Sequence, residues 1–354
     1  MKRGYQPADL NGVRAFPLQS RRTKVSQADF ARIAPAAATV SEFLDSLPRL
    51  LKANDLRAAV DAIAGAHRAG KPVVVGIGGS VVKCGLAPWL LYLMERGVIT
   101  AVAMNGGASI HDFEIALIGR TSEEVAEALP EGMFGMVRET AQVMNEAIAS
   151  GARDGTGMGE ALGRKLLEMR PPFLDQSLLA AGVRLGTPVT VHVAVGGETL
   201  HMHASASGAD LGATSFHDFR LLVSVLGDLG QGGVYLNIGS AVVLPEVFLK
   251  ALNTARNLAG TKIEAFTTIN MDMIQQYRAT ENVVRRPTFP NGTGYCFTGH
   301  HEIMVPLLFH LVRAELESAT AVSDVPDEPP EPLLAACAAC RVPGVALSEA
   351  DSEE

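Results

Sequence analysis

Tryptophan occurs once in this 354-residue chain, and aromatic residues make up only 5% of it. A core must therefore come from aliphatic side chains, and a hydrophobic share of 47% supplies them. Positive charge is short as well. Thirty Lys and Arg stand against 38 Asp and Glu, for a formal net charge of −8. Without a basic field, nucleic acid is not an expected partner. No apolar run approaches the roughly 18 residues of a membrane span, so no membrane partner is expected either. The opening residues Met1-Lys2-Arg3-Gly4-Tyr5 lack an apolar signal core. Four cysteines carry no disulfide spacing, and Cys337 and Cys340 form a lone C-x-x-C that reads as incidental. The expected compartment is the reducing cytoplasm.

Glycine is plentiful, and its placement organises the chain. The run Pro72-Val73-Val74-Val75 breaks into Gly76-Ile77-Gly78-Gly79-Ser80, and a helical pattern continues through Trp89 and Met94. A second apolar run, Val98 to Met104, breaks into Asn105-Gly106-Gly107-Ala108. Strand, glycine turn, helix, strand, glycine turn is the unit of a parallel sheet with crossover helices. Val234 to Ile238 closes on Gly239-Ser240 as a third such break. The expected fold is α/β, a Rossmann-like three-layer parallel sheet, with ligands beyond the carboxyl ends of the strands. Residues 1–30 read as an N-terminal arm, 31–318 as the α/β domain and 319–354 as an acidic, disordered tail.

Several stretches carry candidate chemistry. Gly76, Gly78 and Gly79 follow G-x-G-G rather than the full dinucleotide fingerprint, so they read as an anion-facing turn or as tight backbone geometry. Lys83, one turn into the next helix, could reach a phosphate or lie in solvent. In Ser109-Ile110-His111-Asp112-Phe113-Glu114, His111 could be a base or a ribose contact oriented by Asp112. Equally, Asp112 could complement a helix N-terminus. Thr121-Ser122-Glu123-Glu124 has the pattern of a capping box. Residues 151–160 read as a flexible loop, an insertion or a lid. His201 and His203, two apart, would share one face of a strand and with His192 or His217 could ligate a metal, or be polar loop histidines. Asp272 and Glu281, after a strand from Lys262 to Ile269, are site residues or surface loop.

The order of elements and four stretches together resemble the deoxyhypusine synthase family, in its divergent bacterial branch, over residues 30–317. The stretches are Gly76 to Gly85, Met104 to Leu117, Pro188 to Asp228 and Gly294 to Leu308. The resemblance implies a one-domain Rossmann-like fold, a homotetramer, and NAD held at strand ends. It also implies oxidation of spermidine by hydride transfer, with the aminobutyl group passed on through a lysine imine. Position by position, Gly78, Gly79 and Ser80 fall at the first NAD loop, with Ser80 where the family has asparagine. Asn105, Gly106 and Gly107 fit its second glycine turn, where His111 or Ile110 replaces a ribose-binding acid. Gly239 and Ser240 keep part of a later glycine turn, and His300 replaces an aspartate near the nucleotide. His201 falls about where an acid grips the polyamine, and Asp272 and Glu281 could supply acids lost elsewhere.

One departure is decisive for the chemistry. The family's reactive lysine sits in a Trp-Gly-Lys before the final strand, whereas Arg286 to Gly294 contains neither Trp nor Lys, and no lysine follows Lys262. Transfer through the usual enzyme imine is excluded. The sequence leaves three functions open. One is an NAD-dependent enzyme on a small amine or polyamine-like substrate, with His111, Asp112, His201, Asp272 and Glu281 as candidate catalytic residues. The others are a metal-dependent hydrolase or lyase using the histidines, and a non-catalytic regulator.

Overall fold

A computed structural model describes residues 4–260 and 262–323. Six strands form one sheet: β1 (Val73–Ile77), β2 (Ala101–Asn105), β3 (Val189–His192), β4 (Val234–Ile238), β5 (Thr267–Asp272) and β6 (Thr293–Thr298). Their order is β3-β2-β1-β4-β5-β6, and every neighbouring pair is parallel. This is the doubly wound order, in which the chain reverses direction of travel across the sheet between β1 and β4. The expected α/β class stands on this topology.

The helices are α1 (Val40–Ser46), α2 (Leu51–Arg68), α3 (Gly79–Lys83), α4 (Ala87–Glu95), α5 (Gly106–Ile118), α6 (Val125–Ala128), α7 (Arg138–Asp154), α8 (Met158–Met169), α9 (Leu178–Leu185), α10 (Gly208–Gly227), α11 (Val243–Leu258), α12 (Tyr277–Ala279) and α13 (His301–Ser323). Residues Thr280–Arg285 continue α12 as a π-helical segment. Residues up to Leu316 form one compact unit, and a second begins at Glu317. The tail expected over 319–354, with Cys337 and Cys340, lies outside the described residues except where α13 runs on to Ser323.

The strands are buried on both faces, as a covered parallel sheet requires. All five residues of β1 and of β4 are buried. Side chains alternate between two cores because the strand period is two. Val73, Val75 and Ile77 join the core that also holds residues of α2, α4, α5, α8, α9 and α13. Val74 and Tyr235 join the other, with residues of α10 and α11. Gly76 makes room for Tyr235, whose hydroxyl would lie 2.6 Å from any Cβ there and whose ring stacks on Phe248.

Several local expectations are corrected. The helix after the first glycine turn is two helices, because Gly85 turns the chain at φ +72° between them. Residues 151–160 are not a long flexible loop. α7 runs to Asp154, Gly155 takes the left-handed conformation as its C-cap, and α8 starts at Met158. The pattern at Thr121–Glu124 does not cap a helix, since α6 begins at Val125 without a side-chain cap. Thr39 caps α1, with Glu42 completing a capping box. β5 starts five residues later than the strand expected from Lys262.

Candidate active site

The three glycine turns meet on one rim. Gly78 follows β1 and packs so tightly on Gly239, which follows β4, that a Cβ on Gly78 would overlap the Gly239 carbonyl. Gly239 itself sits at φ +65°, where L side chains are strained. A Cβ there would lie 2.6 Å from Ser80 Oγ and 2.9 Å from His301 Nε2. Gly79 approaches α5, with His111 Cδ2 at 3.1 Å from its Cβ position. Gly78, Gly79 and Gly239 thus serve close backbone packing at the switch point. Gly107 differs: its Cβ position has one neighbour within 4 Å, Asn105 Oδ1 at 3.7 Å.

Asn105 ends β2 and caps α5, its Oδ1 accepting the Ala108 N–H at 2.8 Å. The start of α5 opens onto a cavity of about 910 Å³, a size suited to a cofactor or substrate. Lys83, Asn105, Gly107, His111, Glu114 and Glu198 are on its walls, as are Arg120, Thr121, Glu123 and Glu139.

His111 is held by a partner absent from the sequence expectation. Its Nδ1 lies 2.6 Å from Thr121 Oγ1, and that hydroxyl donates to Glu114 Oε2 at 2.6 Å. A hydroxyl whose hydrogen goes to a carboxylate accepts from its other neighbour. The ring therefore carries its proton on Nδ1 and its lone pair on Nε2. Thr140 of α7 donates to the other oxygen of Glu114 at 3.1 Å. Burial, reinforced by the Lys83 charge, brings the His111 pKa down to about 4. At neutral pH the imidazole is thus a free base.

Asp112 does not orient His111. Successive residues on a helix point ~100° apart, and Asp112 turns into the protein, 1% exposed. It accepts from Ser177 Oγ at 2.5 Å, Leu178 N at 2.8 Å and Leu179 N at 3.2 Å, tying down the first turn of α9. Burial raises its pKa to about 6 against these bonds. The alternative in which Asp112 complements a helix N-terminus holds, but the helix is α9, not its own.

His201 and His203 lie in and after a 3-10 turn (Thr199–Met202), not on a strand. His201 Nδ1 accepts from Gly196 N at 3.1 Å, while His203 Nε2 meets Gly135 O at 2.9 Å. His192, buried, bonds Thr190 Oγ1 at 2.9 Å. Among the described residues no group of three or more His, Cys, Asp or Glu could hold a metal ion.

On the far side of the switch point, Ser240 Oγ accepts the Leu244 N–H at 3.2 Å in the first turn of α11. The histidine turned to this rim is His301, one residue beyond the one expected. His300 is exposed, its side chain 64% accessible. His301 is 2% exposed, lies 3.9 Å from Asp272 Oδ1, and has a buried Nδ1 without a hydrogen-bond partner. Asp272 is therefore at the rim, at the end of β5. Glu281 pairs with Arg285 at 2.8 Å along its own helix and is not on the cavity wall. Sequence reading set Glu114 in the cluster with His111 but gave it no role, and passed over Thr121, Glu198 and His301. Glu114 was legible in principle, because i and i+3 share a helix face.

No family model matches the chain, and no curated protein matches it. Solved structures do. ArgZ, an arginine dihydrolase from cyanobacteria, matches 76% of this chain and 34% of its own at 14% identity and a TM-score of 0.47. A protein described as LOR/SDH from Methanococcus maripaludis S2 matches over 81% and 74%, at 12% identity and 0.45. A candidate deoxyhypusine synthase from Entamoeba histolytica matches over 78% and 94%, at 11% and 0.46. The chain thus spans about a third of the length of ArgZ. The fold class rests on the strand order, and none of these matches shows membership of a family.

Proposed function

We propose that this chain is an NAD-dependent enzyme acting on a small amine or polyamine-like molecule, without a lysine imine. One observation carries the reading. Beside the switch point, the N-terminus of α5 presents Gly107 to a cavity of about 910 Å³ that also holds Lys83 and a base, His111.

The fit to a dinucleotide is made by backbone. A glycine with an open Cβ position at a helix start lets a pyrophosphate approach N–H groups and the positive end of the helix dipole. Lys83 on the same wall adds a charge. NAD⁺, when bound, supplies a hydride acceptor. The chain's own part is proton handling and substrate charge. Glu114, Glu123 and Glu139 on the cavity walls suit an ammonium group, which needs paired carboxylates when withdrawn from water. In this reading Nε2 of His111, which holds the lone pair, takes the proton that an amine must lose before it can give up hydride.

Calorimetry with NAD⁺ and NADH tests the cofactor, and heat of binding is expected. Absence of heat at millimolar ligand overturns it. Spermidine-dependent formation of NADH then tests the substrate class.

A further inference from the structure

The walls of the cavity differ in how firmly they are held. Glu198 lies against His201 and against Gly106 at the start of α5, and its side chain is 8% exposed. Another part of the wall comes from the segment between α5 and α7, where Arg120, Thr121, Ser122, Glu123, Val125 and Phe134 line the cavity. From 120 to 134 no residue is buried. Thr121, Ala128 and Phe134 are half-buried, while Leu129 and Met133 are 60% and 59% exposed. A stretch with so little apolar burial opens at low cost in free energy.

Both ends of the segment are glycines seated on the body. Gly119, at φ +67°, has its Cβ position 2.8 Å from the Phe173 ring. Gly135, buried at φ +73°, has its Cβ position 2.6 Å from Thr199, and its carbonyl meets His203 Nε2 at 2.9 Å. The Gly135 N–H donates to Glu123 Oε1 at 2.8 Å, and Met133 N to Ala128 O at 3.0 Å, so the segment closes on itself as one compact loop. Among the described residues, its hydrogen bonds to the body apart from these ends all run through Thr121. They reach His111 at 2.6 Å and Glu114 at 2.6 Å.

We propose that residues 120–134 are a lid, hinged at Gly119 and Gly135, that carries Thr121 to His111 as it closes and withdraws it as it opens. Closed, the lid completes the cavity and fixes the proton of His111 on Nδ1. Open, it joins the cavity to solvent and leaves the imidazole free to exchange tautomers. The base is thus set only when the site is covered. The identity of the ligand that draws the lid down rests on the proposed function; the motion and its link to His111 do not. On that function, a cationic amine meets Glu123 and its carbon chain meets Phe134, both on the lid and on the cavity wall. Those contacts supply the closing free energy. Thr121 therefore acts on the ring and little on affinity.

Hydrogen exchange of the full chain at neutral pH, read by mass spectrometry, tests the motion. Without ligand, amides of 120–134 should exchange at least about 10-fold faster than those of α5 and α7. Protection equal to that of the two helices overturns the lid. Gly135→Ala drives a methyl toward Thr199 and Met202 at a positive φ, and should favour the open form. Exchange of 120–134 no faster than in wild type overturns Gly135 as a hinge. In ¹⁵N-histidine NMR, wild-type His111 should hold its proton on Nδ1, and Gly135→Ala should populate both tautomers. A fixed Nδ1 proton in that variant, with the lid exchanging faster, overturns the link between lid and base. NAD⁺ with spermidine should slow exchange of 120–134 by about 10-fold. Binding heat without slower exchange overturns closure on the ligand. Absence of binding heat overturns the proposed function, and the ligand-free exchange and NMR still decide on the lid.

Discussion

Thr121 links Glu114 to His111: its hydroxyl oxygen is 2.6 Å from Nδ1 of the imidazole and donates to the carboxylate at 2.6 Å. The arrangement fixes the tautomer of His111 as a carboxylate would, with a hydroxyl as intermediary. Replacing Thr121 with valine removes both bonds at similar volume. His111→Gln should lower turnover by about 10²–10⁴-fold, the range for loss of a general base. Thr121→Val should lower it less and raise KM little, since the ring is left in place without its orienting partner. Steady-state NADH formation measures both. Equal activity of Thr121→Val and wild type would remove the relay from the chemistry.

The glycines on the rim should separate by role. Gly78→Ala drives a methyl into the carbonyl of Gly239, which is backbone and cannot turn away. A loss of roughly 1–3 kcal/mol in urea unfolding is expected. Gly107→Ala meets only an ordinary contact at 3.7 Å, so stability should be kept or slightly raised. Its methyl would instead stand where the proposed function seats the dinucleotide, and on that proposal NAD⁺ affinity should fall. Loss of stability at Gly107 with intact NAD⁺ binding would contradict this division.

Asp112→Ala leaves Ser177, Leu178 and Leu179 without the acceptor that now serves all three. Unpaired buried donors make a loss of roughly 2–4 kcal/mol the expected result of equilibrium denaturation. The pKa of His111, followed by NMR, should not move in this variant. A large shift would restore the Asp112–His111 pairing that the side-chain directions exclude.

Asp218 offers a pH test of burial. Its carboxylate is 1% exposed and accepts from Gly159 N at 2.9 Å and Val191 N at 2.7 Å. Desolvation nevertheless raises its pKa from 3.8 to about 7. A folded pKa above the unfolded one means that the native state binds the extra proton. The stability it contributes is full below the unfolded value and is lost as pH rises through about 7. Asp218→Asn cannot ionise, so its Tm relative to wild type should climb across that window. A difference independent of pH would show that Asp218 titrates in the native state as it does in the unfolded chain.

His111 and His192 carry the opposite sign. Burial is the first cause of the lowered pKa in each, and both fall to about 4. Their contribution is present above the ordinary histidine value and is lost as pH falls through about 4, because the unfolded chain takes up protons first. His192→Asn should therefore be less sensitive to acid than wild type in a pH-dependent unfolding series. An unchanged acid limb would contradict a neutral, buried imidazole.

The three strand runs and their glycine breaks were legible because both signals are local. β-branched runs suit a covered sheet, and glycine permits turns that other residues resist. Val234–Ile238 emerged as β4 with the bounds expected. Local pattern failed where a side chain chose a distant partner. Thr121, seven residues after Glu114, reaches back because Gly119 takes the left-handed conformation and ends α5. The Thr121–Glu124 motif reads as a helix start only until that competing bond is seen. Histidines gathered in sequence at 300 and 301 point apart, one into solvent and one onto the rim.

By itself, then, the amino-acid order determined the class of fold, the carboxyl-end placement of the glycine turns, and the absence of the lysine an imine relay would need. These follow from backbone propensity, hydrophobic period and residue identity, none of which requires knowing a neighbour. Only the tertiary structure decided that Glu114 and Thr121, not Asp112, serve His111, and that Glu198 lies against His201 at the start of α5. Hydrogen bonds and desolvation act over a few ångströms between elements tens of residues apart, and that proximity exists only once the sheet has brought them to one edge.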